Sequence, residues 1–145
     1  MKSVKVMHKK EKTIELKDLA IGYSSQKNIK MIAEHITSDI CSGELTCLLG
    51  ANGIGKSTLL RTLTAFQPKL SGDIVIHGKK IEKYPEKELA TLIGVVLTEK
   101  FEIKNMTSYQ LIGLGRSPYT GFWGKLTLED KEKIEEAISL VKIEN

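Results

Sequence analysis

The residues from Gly50 to Thr58, Gly-Ala-Asn-Gly-Ile-Gly-Lys-Ser-Thr, offer the clearest chemistry in the chain. They satisfy the spacing Gly-x-x-x-x-Gly-Lys-Ser, running from Gly50 to Gly55, Lys56 and Ser57. In such a loop the backbone amides turn inward around phosphate oxygens. Gly50, Gly53 and Gly55 permit positive φ and keep Cβ atoms out of the anion's way, while Ala51, Asn52 and Ile54 complete the wrap with their main chain. A helix starting near Lys56 adds unpaired N–H donors and about half a positive charge. Lys56 is expected to reach the β- and γ-phosphates. The Ser57 hydroxyl is expected to take one coordination site on Mg²⁺, and Thr58 to donate to the α-phosphate. The chemistry this points to is binding of a magnesium nucleoside triphosphate such as ATP.

The flanking elements must place that loop. Residues 13–23 alternate in two registers, Ile14 and Leu16 in one and Leu19, Ile21 and Tyr23 in the next. That is a strand with a break near Asp18. Ile29, Met31 and Ala33 predict a second strand after the turn cluster at 24–28. Glu44 to Gly50 is a short apolar run that reads as a strand buried on both faces and delivering the chain to the loop. From Lys56 a helix is expected, with Leu59, Leu60, Leu63 and Phe66 on its apolar side. Further along, strands are expected over 73–77 and, buried, over 92–97. Short helices are expected over 85–91 and 108–114, with residues 100–107 a polar loop. A longer helix is expected from Thr127, where Thr127 and Asp130 form a capping pair and Ile134, Ala137, Ile138 and Val141 share a face.

A length of 145 residues suits one ordinary domain. With 41% apolar and 28% charged residues the chain reads as globular rather than disordered. The net charge of +4 owes much to Lys2, Lys5, Lys9, Lys10 and Lys12. No aromatic residue is interleaved there for stacking on bases, so a solvated tail is expected and no nucleic-acid partner. No apolar run approaches the ~18 residues of a membrane span, and the N-terminal lysines lack the apolar core of a secretory leader. Cys41 and Cys47, without partners in metal spacing, read as reduced cytosolic thiols. His8, His35 and His77 are scattered and read as surface or locally satisfied residues.

GANGIGKSTLLRTL, followed by KLSGDIVIHGKKI at 69–81, resembles the front half of an ABC-transporter nucleotide-binding domain. GLGRSPYTGFWGKLTLEDKEKIEEAI at 113–138 is similar to the branch that serves iron-siderophore, haem and cobalamin importers. The resemblance covers roughly residues 12–145. It implies an α/β fold, a P-loop NTPase with an N-terminal antiparallel β subdomain. It also implies a basic tail at 1–12, an ATP-binding core at 13–100 and the start of a helical subdomain at 101–145. Tyr23 matches the aromatic residue that stacks on adenine. After the strand at 92–97 the family carries a glutamine that contacts Mg²⁺ and the attacking water; Thr98 stands there, with Glu99 beside it, and Thr98 is carried forward as a metal-site candidate. The implied partners are membrane permease subunits and a second ATPase copy in a homodimer. The implied location is the cytoplasmic face of the membrane, peripherally bound.

The LSGGQ signature, a later strand ending in Asp-Glu (the Walker B segment) and the switch histidine are not found in this sequence. The expectation is therefore of a fold truncated before the signature and Walker B segments. Such a chain would bind Mg-ATP weakly and turn it over negligibly, and its loop strand would lack neighbours. The 106–124 stretch, with Tyr109, Tyr119, Phe122 and Trp123 around Arg116, can either dock on permease subunits or pack its own small core. Two other classes remain open from the residues. A small P-loop metabolite kinase would need an arginine-rich lid, whereas only Arg61 and Arg116 occur. A non-catalytic ATP-binding module is the other.

Overall fold

The structure is a computed structural model, described for residues 11–25, 28–96, 105–121 and 123–142. It divides into two compact units, Met1–Pro85 and Glu86–Asn145. The expected boundary between ATP-binding core and helical subdomain, at 100/101, falls outside the described residues.

The first unit is built on a four-stranded antiparallel sheet. Strands β1 (Lys12–Ser24), β2 (Ile29–Cys41), β3 (Ser71–Ile76) and β4 (Lys79–Lys80) stand in the order β2-β1-β3-β4. Helix α1 (Lys56–Leu63) packs on β1. The core consists of Leu16, Leu19, Ala20 and Ile21 of β1, Ile74, Val75 and Ile76 of β3, Ile81 of the following 3₁₀ turn, and Leu63 and Thr62 of α1.

The break read near Asp18 is a β-bulge. Leu16 pairs Ser38 and Leu19 pairs Ile36, so two residues of β1 oppose one of β2. The inserted residue restores Leu19 and Ile21 to the interior, because each one-residue slip reverses the faces. Asp18 adopts φ 47 and its amide donates to Thr37 Oγ1 at 3.2 Å. His35, at φ 56, holds Asp18 Oδ1 through Nδ1 at 2.7 Å. A further irregularity leaves Ile32 unpaired between the Ile21–Ala33 and Gly22–Met31 pairs.

Two strand expectations are overturned. Glu44 to Gly50 forms no strand, and its leucines face outward, Leu45 at 92% and Leu49 at 88% exposure. Ile93 to Val96 likewise forms no strand, with Val96 exposed; Leu97 lies outside the described residues. The reason is common to both. An apolar run becomes a two-sided buried strand only between two ladder neighbours, and neither run has one among the described residues. Helix α1 also differs: its buried residues are Thr58, Thr62 and Leu63, while Leu60 and the post-helical Phe66 are exposed. The buried side of α1 carries Thr58, Thr62 and Leu63, Leu59 is half-buried, and Leu60 faces outward.

The second unit holds α2 (Glu86–Leu92), α3 (Ser108–Gly113), a 3₁₀ turn at Leu114–Arg116 and α4 (Leu128–Leu140). Pro85 sits just before α2 rather than inside its first turn. Reciprocal capping boxes start the other two helices. Thr107 Oγ1 accepts from Gln110 N while Gln110 Oε1 accepts from Thr107 N, and Thr127 and Asp130 do the same for α4. Ile134 of α4 is fully buried, with Ala137 and Ile138 half-buried; Val141 is exposed. Gly113 does not break α3. Its bare Cα lets Ile134 Cδ1 approach to 3.4 Å of where a Cβ would stand.

Candidate functional site

The loop from Gly50 to Gly55 leaves the unpaired segment and ends at the N-terminus of α1. Gly55 is the N-cap at φ 105, with no side chain capping the helix, and Gly53 stands at φ 82. A Cβ on Gly55 would meet Ile32 Cγ2 at 2.5 Å, so β2 presses directly on the loop and only glycine fits. The first intrahelical bond runs from Leu59 N to Gly55 O. Among the described residues no group accepts the amide hydrogens of Lys56, Ser57 or Thr58. A helix N-terminus with open amides and no capping carboxylate is prepared for an anion.

A cavity of about 400 Å³ opens over these amides, lined by Asn52, Gly53, Gly55, Lys56, Ser57 and Thr58 together with Tyr23, Lys30 and Ile32 of the sheet. That volume lies within the roughly 300–1,000 Å³ usual for small-molecule sites. Among the described residues none that lines it is acidic. Lys56 Nζ donates to the carbonyls of Gly50 and Ala51, at 2.8 and 2.7 Å. The ammonium is thereby parked against the entry of its own loop. Ile54 points outward, with 60% exposure. The hydroxyls of Tyr23 and Thr58 share a hydrogen bond of 3.2 Å, and Tyr23 remains half exposed. Thr62 Oγ1 donates to the Thr58 carbonyl at 2.8 Å, fixing the first turn of α1 from within.

The structure thus gathers Tyr23, Asn52, Gly53, Gly55, Lys56, Ser57 and Thr58 around one cavity, with Gly50 and Ala51 holding the lysine. Thr98 and Glu99 lie outside the described residues. Sequence reasoning did not single out Ile32 or Lys30. Only the strand register brings them here, Lys30 as the direct partner of Tyr23 and Ile32 as the unpaired residue beside Gly22. Ser57 offers one hard oxygen to a divalent cation. Among the described residues no group of three or more His, Cys, Asp or Glu is placed to hold a metal by itself.

The second unit has its own cavity of about 570 Å³, with Met106, Tyr109, Leu114 and Leu126 in its wall. Nearby, the Arg116 guanidinium lies 4.0 Å from the centroid of the Tyr119 ring, and Trp123 is 90% exposed. Phe122 lies outside the described residues. Arg116 Nε donates to Asp130 Oδ1 at 2.8 Å. The Asp130 carboxylate also accepts from the Thr127 amide at 2.9 Å and the Thr127 hydroxyl at 2.7 Å. These contacts, the Thr127 amide foremost, hold its pKa down to about 2. The cluster is structural, since every oxygen faces a partner inside the unit. Among the described residues no helix is long and apolar enough to cross a membrane.

A family model described as "ABC transporter" matches residues 33–145. An uncharacterised ABC transporter ATP-binding protein of Methanocaldococcus jannaschii is 37% identical over 131 residues, covering 90% of this chain and 44% of that protein. The ferric enterobactin transport ATP-binding protein of Escherichia coli is 32% identical, covering 86% of this chain and 45% of that protein. The chain thus spans about half the length of these curated relatives. Among solved structures, the dimeric post-hydrolysis state of an ATP-binding cassette bound to ADP and Pi superposes with a TM-score of 0.71. It is 22% identical and covers 91% of this chain and 58% of that one.

Proposed function

The chain belongs to the ABC transporter family, and on that premise we propose that it is the ATP-binding part of an importer subunit, holding Mg-ATP between Gly50 and Thr58. The observation that carries this is the set of amides at Lys56, Ser57 and Thr58, open among the described residues and facing a cavity whose described wall holds lysines and no acid. A triphosphate satisfies those donors and draws Lys56 off the Gly50 and Ala51 carbonyls, replacing two neutral acceptors by a stronger charged one. Ser57 fits a magnesium ion that takes its remaining positions from phosphate oxygens and water, the usual habit of that cation. Bound there, the ion supplies charge neutralisation to the β- and γ-phosphates. Tyr23 offers its ring to adenine while its hydroxyl rests on Thr58, so base and phosphates are registered through one contact.

The iron-siderophore or related chelate branch is supported by relatives named for ferric enterobactin and petrobactin import. In this reading residues 13–100 are the ATP-binding core and 101–145 open the helical subdomain. Tyr119 and Trp123 give that subdomain an exposed aromatic surface for permease subunits at the cytoplasmic face. A second ATPase copy would complete the sandwich around the nucleotide. Residues 1–145 alone bind ATP and turn it over negligibly, because the sequence supplies no general base for the water.

The test is calorimetry on the folded 145-residue chain with Mg-ATP. Binding is expected, weakened about tenfold or more in Lys56→Ala, which removes a charge-assisted contact. No heat at saturating ATP from a folded sample would sink the assignment. Steady phosphate release that Lys56→Ala abolishes would overturn the statement on turnover.

A further inference from the structure

Of the two cationic side chains in the wall of the cavity among the described residues, the loop motif accounts for one. The other is Lys30, on β2, outside the motif. Its backbone is the direct cross-strand partner of Tyr23. Opposed residues of an antiparallel pair share a face, with Cβ atoms about 4.5–5.5 Å apart. A lysine's four-carbon stem and a tyrosine's ring carry their polar tips about equally far from the strand. The Tyr23 tip is located: its hydroxyl sits 3.2 Å from Thr58 Oγ1, in the first turn of α1. With Lys30 in the cavity wall, its ammonium is within reach of the same level, near the amide end of the helix. Lys30 is exposed, and no carboxylate among the described residues forms an ion pair with it. Lys56, by contrast, has its ammonium satisfied by two carbonyls.

We propose that Lys30 is a second phosphate-binding cation of this site, contacting the nucleotide at its α-phosphate end beside Thr58. The proposal rests on the nucleotide reading above and adds to it a residue from a different element. Lys56 serves the far phosphates from below, while Lys30 closes over the near one from the sheet. A charge there acts on any nucleotide that carries a phosphate and is indifferent to a nucleoside.

The experiment measures affinities of ATP, ADP and adenosine for the full chain, its Lys30→Ala, Lys30→Gln and Lys30→Arg variants, and Lys56→Ala. Thermal melting of each variant controls for folding. Lys30→Ala and Lys30→Gln are expected to weaken ATP and ADP alike by about tenfold, with adenosine changed by less than about twofold. Lys30→Arg is expected to retain most of the affinity. The penalty should shrink at about 0.5 M salt, where the screening length falls to a few ångströms. Equal losses for adenosine and ATP would make Lys30 a base contact and overturn the proposal, as would no loss at all. Dependence on Lys56 with indifference to Lys30 would leave the nucleotide site standing and remove only this residue from it. A folded wild-type chain that takes no ATP would remove both.

Discussion

Asp130 shows what one side chain can do when its hydrogen bonds are local and complete. Both its oxygens are occupied, by the Thr127 amide and hydroxyl and by Arg116, and it is nearly inaccessible to solvent. Its pKa falls from 3.8 to about 2 on folding. A carboxylate depressed in this way stabilises the folded state fully above the unfolded value. The contribution drains away as the pH drops through the folded value. Melting of the chain is therefore expected to decline between about pH 4 and pH 2, and the decline over that window should be shallower in Asp130→Asn. Identical acid profiles for the two proteins would count against the cluster. The capping half of this cluster was legible, since Thr127 and Asp130 are three residues apart. The Arg116 half was not, because fourteen residues and a chain reversal separate it from Asp130. The same division holds at the nucleotide site. Gly50 to Thr58 could be read because their chemistry is backbone geometry within one loop, whereas Lys30 and Ile32 depend on a bulged register between two strands.

Among the elements, β1 was readable with its interruption, since the switch from Leu16 to Leu19 in the apolar alternation is itself the mark of an inserted residue. Helix α4 was readable too, from its cap and from Ile134. That isoleucine is the fully buried anchor of the second unit, meeting α3 at Gly113. Ile134→Ala is expected to cost about 2–5 kcal/mol, read as a lowered denaturant midpoint. A change below about 1 kcal/mol would mean that the site collapses without loss. The face of α1 was legible only in part, at Leu63, because leucines at helical spacing state only which residues are apolar. Which side meets β1 is decided by the docking of the loop, and that docking buries Thr58 and Thr62. The segments 44–50 and 93–96 were misread for a related reason. Apolar character qualifies a run to be a central strand, but the ladder has to come from elsewhere in the chain or from another chain.

At the scale of the whole molecule, those two runs expose Leu45, Leu49, Val95 and Val96, and Trp123 adds an exposed indole. Apolar segments with no ladder partner among the described residues invite association. The 145-residue chain is expected to bind a dye sensitive to apolar surface and to sediment with a concentration-dependent mass, and Leu45→Lys with Val96→Lys should diminish both. A strictly monomeric, dye-silent wild type would refute this. The unladdered run has a thermodynamic consequence for the phosphate cradle, which has one rim built into α1 and the other hanging from residues 44–50. A polypeptide that paired with that run and held the second rim in its nucleotide-bound form would strengthen nucleotide capture. By reciprocity, a captured nucleotide must tighten the pairing by the same factor. Occupancy of the cradle and pairing of that run would then be two readings of a single equilibrium.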